Sequence, residues 1–172
     1  VVLNLAAALS KGIPLPGDDI PRTPIKVLYQ TAEDGLSDTI KPRLQAAGAD
    51  CNCILSIDES KDVLSMTDER IEYAINETGA KLIILDPIQG YLGANVDLHR
   101  ANEVRPIFSK LGRIAEEYHC AVILIGHLNK AGSVKAAYRG LGSIDIVAAA
   151  RSVLYVGKIK DSTNRIICQT KS

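Results

Sequence analysis

Residues 81–93 read Lys81-Leu82-Ile83-Ile84-Leu85-Asp86-Pro87-Ile88-Gln89-Gly90-Tyr91-Leu92-Gly93, and this stretch decides the fold. Four consecutive aliphatic residues, Leu82 to Leu85, run into a single acid and are stopped by proline. An apolar run this short, bounded by a breaker, is the pattern of a strand buried on both faces of a parallel sheet. A carboxylate at the carboxyl end of such a strand lies where open α/β sheets bind their ligands. Taken alone, Asp86 is also readable as the residue that opens a turn before Pro87. Other strand ends must supply it with partners before chemistry is the better reading.

Upstream, residues 26–31 (KVLYQT) predict a strand, with Ala32-Glu33-Asp34-Gly35 at its carboxyl end. A helix is expected over 38–47, with Pro42 near its first turn and Gly48 ending it. Residues 53–57 read as the next strand. Thr67-Asp68-Glu69-Arg70 has the shape of a capping box with Thr67 as the cap, opening a helix that ends at Gly79. The chain begins with an Ala- and Leu-rich helix over 1–11, closed by Gly12 and followed by a loop containing Pro14, Pro16, Gly17 and Pro21.

Downstream, a long connection over 87–103 leads to a helix over 104–119 and a second buried strand over 121–126. Gly126-His127-Leu128-Asn129-Lys130 follows its end, then a glycine-punctuated loop to Gly142. Residues 143–150 look helical. Two last strands, 151–156 and 164–170, are joined by a polar turn and could form an antiparallel edge. Alternating strands and helices define an α/β domain with a largely parallel sheet.

At 172 residues the chain fits a single domain with a full core, and with one Phe and no Trp that core must be aliphatic. Lys plus Arg equals Asp plus Glu at 20 each, so overall charge identifies no partner. The four cysteines Cys51, Cys53, Cys120 and Cys168 are too scattered for a disulfide framework. Each lies in or beside an apolar run, which predicts buried thiols and a cytoplasmic protein. No apolar stretch approaches a membrane span, and the first residues lack the basic lead of a secretory signal.

In this reading Glu33, Asp86 and His127 each follow a strand, and in a parallel sheet those ends emerge on one side. A Glu there can take a proton from water attacking phosphorus. An Asp can hold magnesium, usually through water, because magnesium dehydrates reluctantly. An imidazole can donate a hydrogen bond to a terminal phosphate. No G-x-x-x-x-G-K-[ST] phosphate loop occurs in the sequence.

The order of these motifs resembles the RecA-like hexameric helicases, closest to the RepA-type helicases and related AAA-family ATPases of plasmids, phage and mobile elements. The carrying segments are Tyr29-Gln30-Thr31-Ala32-Glu33-Asp34-Gly35, Leu85-Asp86-Pro87-Ile88-Gln89, Gly126-His127-Leu128-Asn129-Lys130 and Tyr138-Arg139-Gly140-Leu141-Gly142-Ser143-Ile144. Ala149-Ala150-Arg151-Ser152-Val153-Leu154 and the closing Gln169-Thr170-Lys171-Ser172 extend the likeness over nearly the whole chain. The resemblance implies a RecA-like P-loop core using ATP and Mg, with Glu33 as general base and Asp86 as the magnesium-holding Walker B acid beside Gln89. It implies His127 as phosphate sensor and Arg151, or else Lys171, as the finger reaching a neighbouring subunit's nucleotide. It further implies that a Walker A strand and loop precede Val1 and that further strands follow Ser172, so that this stretch is incomplete at both ends and by itself binds ATP weakly or not at all.

Between Gly126 and Ile144 there is no acidic residue, while Lys130, Lys135 and Arg139 are present with Tyr138 beside Arg139. A basic segment with an aromatic suits the backbone and bases of single-stranded DNA, and the composition suits an ordinary solvated loop as well. The resemblance favours DNA, lining the channel of a homo-oligomeric ring, and a helicase motor for plasmid, phage or mobile-element replication. The alternative within the same fold is a nucleotide-regulated recombination mediator without unwinding. Neither is a membrane protein.

Overall fold

The computed structural model describes residues 1–93, 96, 100–127 and 144–172. They belong to two compact units, Val1–Val96 with Lys110–His127, and Asp97–Ser109 with Leu128–Ser172.

The first unit is built on four parallel strands, in the spatial order β2 (Ile54–Leu55), β1 (Val27–Thr31), β3 (Leu82–Asp86) and β4 (Ala121–Leu124). The aliphatic run forms β3 (Leu82–Asp86), which pairs on one side with β1 (Val27–Thr31) and on the other with β4 (Ala121–Leu124). Leu82, Ile83, Ile84 and Leu85 are all buried. Val27, Tyr29, Leu82 and Ile84 share a core with Ala6 of α1 (Val2–Ser10) and Leu44 of α2 (Lys41–Ala46). Period two puts Leu28, Ile83 and Leu85 on the opposite face, and these too are buried. A strand covered on both sides has no polar face to alternate, so its sequence is continuously apolar.

Several expected elements take a different form. The helix expected over 38–47 splits into a wide π turn, Leu36–Ile40, and α2. Pro42 lacks the N–H that an uninterrupted helix would donate to residue 38, and Lys41 N–H bonds instead to the carbonyl of Leu36. The strand expected over 53–57 shrinks to β2 (Ile54–Leu55), preceded by a 3-10 turn over Cys51–Cys53. Buried Gln30 explains the shortening. Its Oε1 accepts from the Ile57 amide at 2.6 Å, and its Nε2 approaches the Ile57 carbonyl at 3.3 Å. A side-chain carboxamide thus replaces the next rungs of the backbone ladder.

The cap of α3 (Glu69–Thr78) is Asp68, one residue after the expected Thr67. Asp68 Oδ1 accepts from the Arg70 amide at 2.9 Å, and both of its oxygens receive the Arg70 guanidinium. The same guanidinium donates to the carbonyls of Asp58, Asp62 and Val63, so the preceding loop folds around it. An ionised cap gains from both that cation and the helix dipole, which a Thr hydroxyl does not. The Arg70 hydrogen bonds hold the Asp68 carboxyl below its ordinary value. Gly79, at φ 68°, closes α3 in the left-handed conformation.

The helix expected over 104–119 is α4 (Ala101–Glu117). The strand after it is shorter and less buried than expected, because β4 pairs with β3 alone and occupies the sheet edge among the described residues. Hydrophobicity cannot distinguish an edge strand from a central one when its residues are equally aliphatic.

The second unit carries α5 (Ile144–Ala149) and an antiparallel pair, β5 (Val153–Lys158) with β6 (Arg165–Lys171). The pair forms its own two-stranded sheet, not an edge of the parallel one. Among the described residues no helix is long and apolar enough to cross a membrane.

Candidate functional site

The carboxyl ends of β1, β3 and β4 deliver the candidate residues. Thr31, last in β1, pairs with Asp86, last in β3. The ladder continues one step beyond β1, with the Ala32 amide donating to the Asp86 carbonyl at 2.9 Å. The following turn is held from two sides. Thr31 Oγ1 bonds to the amide and carbonyl of Asp34 at 3.1 and 3.2 Å, and Arg43 of α2 pairs with the Asp34 carboxylate at 2.9 Å. Glu33 sits in this turn with its carboxylate in solvent.

Beyond β3, the peptide between Asp86 and Pro87 is cis, and a 3-10 turn follows over Ile88–Tyr91. The Ile88 amide donates to the Ile125 carbonyl at 2.7 Å, and the Ile125 amide donates to Leu85 at 3.0 Å. These bonds hold the chain leaving β3 against the chain leaving β4, directly before His127. Gly90 in that turn packs against Ala32, so closely that a Cβ on it would overlap the Cβ of Ala32.

His127 Nε2 lies 3.5 Å from Glu33 Oε2, with the two side chains 61% and 62% exposed. A pair so solvated contributes little to stability and is ionic only when the imidazole is protonated. Its interest is positional. The strands behind Glu33 and His127 flank β3, so the two side chains meet over the end of the strand that carries Asp86.

Asp86 is half-buried, and its Oδ2 accepts a hydrogen bond from the Tyr29 hydroxyl at 2.7 Å. Its Oδ1 has no hydrogen-bond partner among the described residues, so a hard oxygen remains for a cation's water shell. Those residues contain no group of three His, Cys, Asp or Glu able to enclose a metal. A single carboxylate fits magnesium, which keeps much of its water and is held by one or two carboxylates together with phosphate oxygens. Burial first, and the Asp86 hydrogen bond second, push the Tyr29 phenol far above its ordinary value, so it remains a donor.

A second polar group lies behind the site. Gln30 Nε2 donates to Glu59 Oε1 at 2.6 Å, and the Leu64 amide approaches Glu59 Oε2 at 3.4 Å. The Tyr91 hydroxyl is buried without a well-formed hydrogen bond, in the field of the Glu59 carboxylate. Burial and that neighbouring charge both raise its phenol.

The remaining candidates fall elsewhere. Gln89 is exposed in the 3-10 turn beside Asp86. Arg151 is exposed just before β5 in the second unit. Lys171, at the end of β6, donates to the carbonyls of Val147 and Ala148 at 3.2 and 2.6 Å, capping α5. Lys130, Lys135, Tyr138 and Arg139 lie outside the described residues. Sequence reasoning passed over Tyr29 as a chemical group. The available signal was a phenol directly after the apolar pair Val27-Leu28 in a strand, since buried Tyr hydroxyls seek partners.

The family model described as "AAA domain" matches residues 1–133. No curated protein matches. Among solved structures, the crystal structure of the RadB recombinase aligns with a TM-score of 0.56 at 15% identity, covering 86% of this chain and 69% of that one. A likeness at that identity concerns the fold, which is the RecA-like α/β arrangement of a parallel sheet flanked by helices.

Proposed function

We propose, from the premise that this chain belongs to the AAA-domain family, that its RecA-like fold is the ATP-hydrolysing core of a DNA-translocating motor of the helicase type. The observation that carries the reading is the approach of Glu33 and His127 over the end of the Asp86 strand. An acid able to accept a proton, an acid able to hold a cation and an imidazole able to donate are thereby gathered at one rim.

Glu33 orients water and takes its proton as the γ-phosphate is attacked, a role worth on the order of 10²–10⁴ in rate. Asp86 would hold magnesium, which when bound would supply positive charge to offset that of the phosphate oxygens. His127 reports phosphate by exchanging its Glu33 contact for a hydrogen bond to the terminal phosphate. Arg151 is the proposed finger completing a neighbour's site in a homo-oligomeric ring. Single-stranded DNA is assigned to the acid-free segment containing Lys130, Lys135, Tyr138 and Arg139. Support for these two assignments is the motif order and composition of the sequence.

ATP hydrolysis by the intact protein, with and without single-stranded DNA, tests the reading. Glu33→Gln and Asp86→Asn should each reduce turnover by at least about a hundredfold. Wild-type turnover in either variant refutes the site. Strand displacement on a forked duplex tests the motor: hydrolysis without displacement assigns the recombination-mediator alternative.

A further inference from the structure

We infer that Tyr29 is a positioning residue for the metal-holding acid: its hydroxyl fixes the Asp86 carboxylate through Oδ2 and leaves Oδ1 as the oxygen available to a hydrated divalent cation. The inference rests on the proposed role of Asp86 and extends it to a residue two positions earlier on the neighbouring strand.

The geometry begins with the ring. Tyr29 is 2% exposed and shares its core with Ala6, Val27, Ile40, Leu44, Leu82 and Ile84. Close packing leaves such a ring little rotational freedom, so the hydroxyl position is set by the core. From there it reaches Oδ2 of Asp86 at 2.7 Å, a short, charge-assisted bond. Register makes the reach possible. Thr31 is directly opposite Asp86, and Tyr29 lies two residues back on the same face of β1.

The consequence is directional. A carboxylate at a strand end rotates about its terminal torsion unless something holds it. With Oδ2 engaged by a donor, rotation costs that bond, and Oδ1 stays presented. Phe in place of Tyr29 would fill the same core volume and leave the carboxylate to rotate. Outer partners of metal-holding groups cost about 10–100-fold in metal affinity when removed. A purely structural role would instead alter thermal stability and leave metal affinity untouched.

The experiment compares wild type, Tyr29→Phe and Asp86→Asn in the intact protein. Mn²⁺ binding is read by electron paramagnetic resonance with a non-hydrolysable ATP analogue present, and melting temperature is measured in parallel. Mg²⁺ activation of ATP turnover provides a third readout. Expected for Tyr29→Phe is Mn²⁺ affinity weakened by about tenfold or more, with the Mg²⁺ concentration for half-maximal activity raised in proportion. In the Asp86→Asn background, adding Tyr29→Phe should weaken Mn²⁺ binding no further. Unchanged Mn²⁺ affinity in Tyr29→Phe, with Asp86→Asn defective in turnover, overturns the positioning role alone. Normal metal binding and turnover in Asp86→Asn overturns the functional reading and this inference with it.

Discussion

Replacing Gly90 with alanine should disable the site from a position that carries no chemistry. Gly90 has no left-handed φ, so the backbone accepts alanine without conformational strain. The difficulty is space: the new Cβ would overlap the Cβ of Ala32, which immediately precedes Glu33. Ordinary carbon contacts begin near 3.5 Å, so relief requires the two turns to separate by about 1 Å. One is the turn carrying Glu33, and the other follows Asp86. The Ala32 amide bond to the Asp86 carbonyl resists the movement, so part of the strain remains as lost stability of about 1–3 kcal/mol. A displacement of about 1 Å at a reacting group can cost on the order of 100-fold in rate. Gly90→Ala should therefore lower ATP turnover by one to two orders of magnitude in an otherwise folded protein. The double variant Gly90→Ala with Ala32→Gly removes the opposing methyl and should recover most of the activity. Steady-state hydrolysis and thermal melting of the three proteins decide the matter. Wild-type turnover in Gly90→Ala, or no recovery in the double variant, refutes the reasoning.

Three further expectations concern how the site is supported. Gln30→Leu loses the 2.6 Å bond from the Ile57 amide and the 2.6 Å charge-assisted bond to Glu59, for about 2–4 kcal/mol after partial apolar compensation. In a chain of this size that lowers the melting temperature by roughly 5–15 °C, with faster amide exchange at Ile57. A melting change below about 2 °C would contradict the clamp. Asp68 has a depressed folded-state value, so its stabilising contribution is present above the unfolded value near 3.9 and is lost as pH falls through the folded one. Asp68→Asn, which still caps α3, should flatten that acid limb in pH-dependent urea denaturation; an identical acid limb would show that Asp68 does not contribute to it. Finally, Lys171→Met should accelerate amide exchange in the six-residue α5, whose last carbonyls it caps, with little change in ATP turnover. Lost turnover without fraying of α5 would instead make Lys171 the finger.

Much of the architecture was legible in the order of residues. Leu82 to Asp86 declared a central strand because a strand covered on both faces needs no polar side. Gly79 announced the end of α3 because it tolerates the left-handed cap. The hairpin of β5 and β6 showed in two apolar runs around a polar turn. The edge position that β4 takes among the described residues did not show, since Ala121 to Leu124 is as aliphatic as β3. Nor did the shortness of β2, which depends on Gln30 reaching across from another strand. The cap of α3 moved from Thr67 to Asp68 because Arg70 and three loop carbonyls close around the acid, and local spacing carries no trace of those carbonyls.

The site divides along the same line. One-dimensional pattern placed the candidate residues at or just beyond apolar runs, because such runs and their breakers are local properties of the chain. That sufficed to nominate Glu33, Asp86 and His127. Only the tertiary structure decided that β1 and β4 flank β3, so that Glu33 and His127 come within 3.5 Å of each other, and that a core phenol grips Asp86. Strand order and side-chain reach depend on contacts between residues tens of positions apart. No local run of sequence encodes those distances; packing does.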